Sequence, residues 1–360
     1  MTASNGLIKC IPKSDIMKNY HGDSFVYFDE AKAHELEALG EVAFADKEES
    51  IQIIEKPMQT NIDYLRRKAF AQGKKTKVAW VQDMSKMGGA EMSNCVVVNA
   101  GEELGFDIVG VTPGLFNREI LRQSDVIILN NCFQFQPEQF RDIQYELYEN
   151  LKPYVKYEHD YRELKRQNIS RPLFERSILN VFISPAHAKR MCEGLNLEQS
   201  DSRPPITRSL PLAIDLHMFN EQPVGRDPKK VLVPVFHKGN SEMADYINHH
   251  PEYSYIILGQ VDVHLEGKIE HKAFASTDEM PGLYSQCGKV LHLPHTHWAG
   301  DRVLFEAVLC GCEVITNEHA GHSSWAAVFD WTDEAKLRTQ LEIAPYLFWR
   351  NVERCLCIYQ

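Results

Sequence analysis

The chain of 360 residues has no apolar run long enough to cross a bilayer. Stretches such as Val126–Leu129 and Val303–Phe305 fall far short of the ~18–20 residues that a span requires. The opening MTASNGLIKCIPKSD lacks a charged segment followed by an apolar one, so no secretory signal is expected and the protein reads as cytoplasmic. Its nine cysteines never form a CxxC pair, and only Cys310/Cys312 and Cys355/Cys357 lie close together. That excludes a zinc knuckle and a secreted disulfide framework, and leaves reduced thiols. Positive charge is short as well: 39 Lys and Arg stand against 50 Asp and Glu, a net charge of −11 that disfavours nucleic acid as the main partner. Internal repeats and low-complexity segments are also missing.

What is present is a globular composition, 44% hydrophobic and 25% charged, at a length that suggests two domains. Two sets of short β-rich runs stand out. The first is Val78–Val81, Asp107–Thr112, Val126–Asn130, Val155–His159 and Val181–Ser184; the second is Val231–Phe236, Tyr253–Gly259, Ile269–Phe274, Lys289–Pro294 and Val314–Asn317. Several are apolar without alternation, as strands covered on both faces of a parallel sheet are, and amphipathic stretches separate them. The expected fold class is therefore α/β, with two Rossmann-like doubly wound domains facing a cleft. Segments rich in Pro, Arg, Gly and Asp place the connection at about 211–229. The expected organisation is an N-terminal extension over 1–76, a first Rossmann-like domain over 77–212, a second over 213–340, and a C-terminal helix over 341–360 that is a candidate to return to the first domain.

The extension differs from the rest of the chain: Asp23 to Glu55 carries ten acidic and two basic residues, whereas Arg66 to Lys77 carries six basic residues and no acid. It reads as a small β-α-β appendage on Ser24–Phe28 and Ala31–Leu39, or as an interaction arm, and the basic cluster as a solvated charged turn.

Two stretches carry chemistry. In Lys77-VAWVQDMSKMGGAEMSNC a strand leads through Gly88-Gly89 into a helix beginning near Ala90. Paired glycines let a ligand approach the backbone, and the helix N-terminus offers free N–H groups suited to phosphate; a tight structural turn is the alternative. In the second stretch, Val303-LFEAVLC reads as a buried helix with one carboxylate, Glu306. A buried carboxylate needs partners, and either vicinal ribose hydroxyls or an arginine such as Arg302 would serve. The run His292-LPHTHW puts His295 and His297 on one side of a strand end, but no Cys, Asp or Glu completes a tetrahedral set, so no metal is expected. Cys310 and Cys312 read as packing residues.

Several pieces in order carry a resemblance. They are MGGAE at 87–91, DVIILNN at 125–131, PYVKYEHDY at 153–161, VFISPAHAKRM at 181–191, PLAIDLHMF at 211–219, HKG at 237–239, YIILG at 255–259, DEMPGLYSQCGKVLHLP at 278–294 and FEAVLCGCEVITNEHAG at 305–321. With these the chain resembles retaining glycosyltransferases of the GT-B class, family 4 (glycosyl transferases group 1 type), over roughly residues 77–330. The resemblance implies that the first domain takes the acceptor and the second the nucleotide-sugar donor. It further implies that Gly88 and Gly89 lie against the donor phosphates and acceptor pocket, that His159 reaches the donor sugar, that Lys238 binds the diphosphate, and that Glu306 binds the donor ribose.

The sequence departs from that family at two places. Trp298 stands eight residues before Glu306, where relatives have a glutamate near the donor sugar, and the phosphate arginine ahead of Lys238 is missing. Arg302, with His237, is the expected replacement cation, and Asp301 the expected replacement acceptor beside a Trp298 that stacks on the sugar; a Trp298 turned into the core beside Leu293 and Phe305 is the alternative. The expected activity is transfer of a sugar from a UDP- or GDP-sugar to an unidentified acceptor (glycan, small molecule, lipid or nucleic acid), with retention, no cofactor and no metal. The alternatives are an inactive nucleotide-binding or scaffold protein, a DNA-modifying glycosyltransferase and a sugar-nucleotide epimerase.

Overall fold

The computed structural model describes the backbone of residues 7–12, 26–29 and 42–44, and residues 75–83, 88–197, 206–221, 225–234, 240–261 and 263–359. Two units, Met1–Pro57 and Met58–Gln360, make up the chain. In the first, β1 (Leu7–Pro12) pairs antiparallel with β2 (Val26–Asp29) on one side and β3 (Val42–Phe44) on the other. The strand expected at Ser24–Phe28 overlaps β2; the helix expected at Ala31–Leu39 and most of the basic cluster lie outside the described residues.

The second unit contains two parallel sheets. The first runs in the order β5-β4-β6-β7-β8-β9, from β4 (Lys77–Val81), β5 (Asp107–Val111), β6 (Val126–Leu129), β7 (Tyr154–Glu158), β8 (Leu179–Phe182) and β9 (Ile206–Ser209). The second runs β12-β11-β10-β13-β14, from β10 (Asp227–Val233), β11 (Ser254–Leu258), β12 (Lys268–Lys272), β13 (Cys287–His292) and β14 (Glu313–Thr316). The connecting helices are α1 (Gly89–Glu103), α2 (Arg118–Gln123), α3 (Pro137–Tyr148), α4 (Gln167–Glu175), α5 (Pro185–Gly194), α6 (Asn240–His249), α7 (Met280–Gln286) and α8 (Arg302–Leu309). Every one of the ten apolar runs overlaps a strand, and the fold is the expected pair of Rossmann-like domains.

Burial explains why those runs do not alternate. Val78, Trp80, Val126 and Ile128 point into one core, while their neighbours Ala79, Val81, Ile127 and Leu129 point into another on the opposite face of the same sheet. In the second sheet Leu232, Ile256 and Val290 face α7 and α8, and Val231, Tyr255, Ile257 and Leu291 face α6. Helices on both faces make most residues of the inner strands core residues, whereas the outer strands β5, β9, β12 and β14 stay half-buried or exposed along most of their length.

A ninth helix, α9 (Glu334–Tyr359), joins the two domains. Leu337 and Leu341 belong to the core of the second, whereas Ile343, Phe348, Trp349 and Val352 belong to the first, so the helix passes from one core to the other between Leu341 and Ile343, just ahead of Pro345. Trp349 is fully buried among Phe106 (4.5 Å between ring centres), Trp80 and Phe348, and its Nε1 donates to Val97 O at 2.6 Å. Gly101 on α1 makes room for it, since a Cβ there would lie 2.6 Å from Trp349 Cζ2 and 2.7 Å from Ile108 Cδ1. Gly101→Ala is expected to destabilise the protein by about 1–2 kcal/mol, because overpacking against a fully buried indole outweighs the ~1 kcal/mol that alanine gains in helix propensity. Denaturant unfolding measures it, and an unchanged or raised midpoint would contradict this packing. Among the described residues no helix is long and apolar enough to cross a membrane.

Candidate active site at the strand ends

Each sheet reverses its order once, between β4 and β6 in the first and between β10 and β13 in the second. Doubly wound sheets bind ligands beyond the carboxyl ends of the strands at such reversals. The loop after β4 leads through Gly88 into α1, and the loop after β13 leads through Trp298 and Asp301 into α8. The loop after β10 carries Lys238 and His237, which lie outside the described residues. Neither α1 nor α8 is capped by the side chain of the residue that precedes it: Gly88 has nothing to offer, and the Asp301 side chain makes no capping bond.

Arg302 ties the two helices together. Its side chain is 9% exposed; Nε donates to Glu306 Oε1 at 2.8 Å, one turn on, and Nη1 donates across to Ser93 Oγ of α1 at 2.9 Å. Nη1 also lies 3.4 Å from Gly89 O and 3.5 Å from Ala213 O. Gly89 is what admits this side chain, because a Cβ there would stand 3.0 Å from Arg302 Cδ. Buried Nη2 has no hydrogen-bond partner among the described residues. The second oxygen of Glu306 accepts from Tyr284 Oη at 3.1 Å. Both carboxylate oxygens thus have protein partners, and Glu306 needs no ligand to compensate its burial. The structure joins Gly89, Arg302 and Glu306 into one constellation, and the local pairing of Glu306 with Arg302 is the one present.

Asp301, 3% exposed, turns its carboxylate away from α8 to buried His292 at the end of β13, with Oδ2 3.0 Å from Nε2. A second buried histidine, His322, places Nδ1 2.8 Å from Asp301 O and stacks on Phe305 with ring centres 4.0 Å apart. Half-buried Trp298 donates its backbone N–H to His319 O at 2.9 Å. Gly321 packs against Trp298 O and Ala299 O with no room for a Cβ. Exposed His297 and half-buried His319 approach through Nδ1 at 3.4 Å, and among the described residues no group of three His, Cys, Asp or Glu converges as a metal would require.

His159 follows β7 in the first domain and is 7% exposed, its ring 4.2 Å from that of Tyr157. Neither ring nitrogen has a hydrogen-bond partner among the described residues. The imidazole therefore does not serve to pair with Glu158 or Asp160; only its backbone N–H donates to Glu158 Oε1, at 3.2 Å. Burial, with the charges of Lys156 and Arg162 behind it, lowers the His159 pKa to about 3, so the ring is neutral. Among the described residues no hydrogen bond or ion pair links it to Arg302, Glu306 or Asp301.

Beneath His159 lies a buried charge group that the sequence reading missed. Fully buried Lys156 donates to Glu158 Oε2 at 2.6 Å and to Asn130 O at 3.1 Å, with Glu163 at 3.7 Å. Burial works against the ammonium, but the two carboxylates win and its pKa rises; burial likewise pushes Glu158 up. The signal was present, because Lys156 and Glu158 are two apart on a strand and so share a face. Asp83, after β4, was missed too: it accepts from the N–H groups of Phe133 (3.0 Å) and Gln134 (2.8 Å), fixing the loop after β6, while burial raises its pKa.

No protein-family model matches the chain, and comparison with curated proteins gives no match. Among solved structures it is similar to a glycosyltransferase from Rickettsia africae, at a TM-score of 0.55 and 11% identity over 79% of this chain and 94% of that one. It is also similar to HepE from Anabaena, solved with UDP and glucose, at 0.51 and 14% over 78% and 95%. An alpha-glucosyltransferase solved with UDP and a 13-mer DNA containing an HMU base gives 0.50 and 12% over 79% and 92%. What the three share with this chain is its architecture, so the two Rossmann-like domains and their joining helix constitute a GT-B fold.

Proposed function

We propose that the protein is a nucleotide-sugar glycosyltransferase, moving a sugar from a UDP- or GDP-sugar to an acceptor with retention of configuration. The observation that carries this reading is Arg302: a buried guanidinium at the meeting of two helix N-termini, with Nη2 unpartnered among the described residues. A diphosphate oxygen suits that N–H and the helix-end amides around it. HepE and the alpha-glucosyltransferase, solved with UDP, make a nucleotide the natural ligand to test here.

In this reading Arg302, Lys238 and the helix termini neutralise the leaving diphosphate, which makes a metal ion unnecessary. Glu306 retains lone pairs for the ribose hydroxyls while bound to Arg302 and Tyr284. His159 offers a neutral imidazole to the donor sugar, and Trp298 a ring face on which the sugar stacks. Asp301, engaged with His292, acts on the sugar through the loop it holds. No side chain is assigned as nucleophile: the departing phosphate oxygen takes the acceptor's proton on the face from which it leaves, and the protein supplies position and charge.

Incubation with a panel of UDP-, GDP- and ADP-sugars tests the proposal. Release of diphosphate from a UDP- or GDP-sugar is expected, undiminished by EDTA. Absence of both binding and release across the panel would overturn the transferase reading. Loss of turnover in EDTA with recovery in Mn²⁺ would overturn the metal-free mechanism.

A further inference from the structure

Three buried polar side chains at the carboxyl ends of the first sheet hold more hydrogen-bonding capacity than the described residues use. Asn130 lies one residue beyond the paired Val81 and Leu129, so Gln82, just past β4, is its neighbour on one side; Leu129 also pairs with Lys156, so Tyr157 of β7 is its neighbour on the other. Leu129 faces one core of this sheet, and alternation turns the Asn130 side chain to the opposite face, with Trp80, Ile128 and Tyr157. Helix α1 covers that face through Val97 and Ala100. Asn94, three residues before Val97, donates Nδ2 to Gln82 Oε1 at 2.8 Å, and the His159 ring lies against Tyr157.

Asn130 is 1% exposed, and neither its Oδ1 nor its Nδ2 has a partner among the described residues. Buried Asn94 leaves Oδ1 unpartnered there, and His159 both ring nitrogens. Burying one polar atom unpaired is costly, and five on one face ask for a ligand. The amide oxygens need donors, Nδ2 needs an acceptor, and a neutral imidazole needs one of each. A carboxylate only accepts and an ammonium only donates, whereas hydroxyls do both. A charged ligand would also lack a counter-ion here: Lys156 and Arg162, whose charges act on His159, are already paired with Glu158 and Asp160. Ser93, next to Asn94 on α1, accepts from Arg302 Nη1, so these side chains adjoin the assigned diphosphate site.

We propose that Asn94, Asn130 and His159 form a cradle that reads the hydroxyls of the donor sugar and restricts the donor to an uncharged sugar, refusing a uronic acid. The proposal rests on the transferase reading and names the sugar class that the same site takes. Since the unpartnered atoms are shielded, the sugar enters as the cleft between the two domains opens. Asn130 then serves binding at the expense of stability, because its amide is satisfied only by the ligand.

Thermal unfolding and calorimetric titration test it. Asn130→Leu keeps the size of the side chain without its polar atoms, and is expected to melt at a higher temperature than the wild type because no buried amide is then left unpaired. The wild type is expected to bind UDP-glucose or GDP-mannose about tenfold or more tightly than UDP-glucuronate or GDP-mannuronate. Affinity for the neutral donor is expected to fall about tenfold or more in Asn130→Leu, with affinity for free UDP or GDP unchanged. Asn94→Leu carries the same binding test independently of position 130. A lowered melting temperature in Asn130→Leu would mean that its amide is already satisfied inside the protein, and would overturn the proposal. So would a uronate bound as tightly as the neutral sugar, or full affinity for the neutral donor in both variants. Binding of UDP or GDP with no gain from any attached sugar would overturn it and leave the nucleotide site standing; binding of neither nucleotide would overturn the transferase reading with it.

Discussion

Glu306→Ala is expected to lower stability by about 3–5 kcal/mol, the usual loss when one partner of a buried ion pair is removed. Arg302 Nε would lose its acceptor at a side chain only 9% exposed, and Tyr284 Oη would lose its own in the same core. Nucleotide affinity is expected to fall about tenfold or more in the protein that remains folded, since each charge-assisted hydrogen bond to a ribose hydroxyl contributes roughly 1.5–3 kcal/mol. Glu306→Gln separates the two effects: it keeps an oxygen for Tyr284 and the volume of the side chain, but removes the charge that holds Arg302. Denaturant unfolding reads the first effect and calorimetric titration with UDP the second. Wild-type stability in Glu306→Ala would mean that Arg302 finds another acceptor. Lost stability with unchanged UDP affinity would leave the pair a structural one and end the assignment to ribose.

Glu306 and its i+4 relation to Arg302 were readable while much around them was not, and the difference lies in where each partner sits. Residues four apart on a helix share a face, so Arg302 as a partner needs no tertiary knowledge. Ser93 is 209 residues from Arg302, and only the docking of the two domains brings its hydroxyl to Nη1. His292 and His322 were likewise invisible as a pair: they sit on a strand end and a distant turn and meet only at Asp301. The apolar strands announced themselves because both faces are covered. Strand β9 did not, since its ITRS segment is half-buried throughout and comes directly after Pro204-Pro205. The connection expected at 211–229 runs into β10, which begins at Asp227, because the exposed start of that strand reads like linker.

His159→Ala is expected to cut turnover by about a hundredfold, the scale for removing one preorganised hydrogen-bonding group at developing charge, with affinity for free UDP nearly unchanged. The imidazole follows the strand end of the first domain, and the diphosphate is assigned to Arg302 of the second, so losing the ring should affect the sugar and spare the nucleotide. Equal losses in both constants would move His159 to the nucleotide. A second readout comes from protonation. A neutral imidazole held at a pKa of about 3 against an ordinary 6.5 gains its proton in the unfolded chain first. Stability therefore declines as pH falls from about 6.5 toward 3, because the unfolded state binds more protons across that window. Buried His187, also lowered to about 3 by desolvation, adds a decline of the same sign, so the variant should show a shallower slope than the wild type and not a flat one. If unfolding measured between pH 6.5 and pH 4 shows the same slope in both proteins, His159 does not resist protonation in the fold, and the neutral ring assigned to the donor sugar is lost with it.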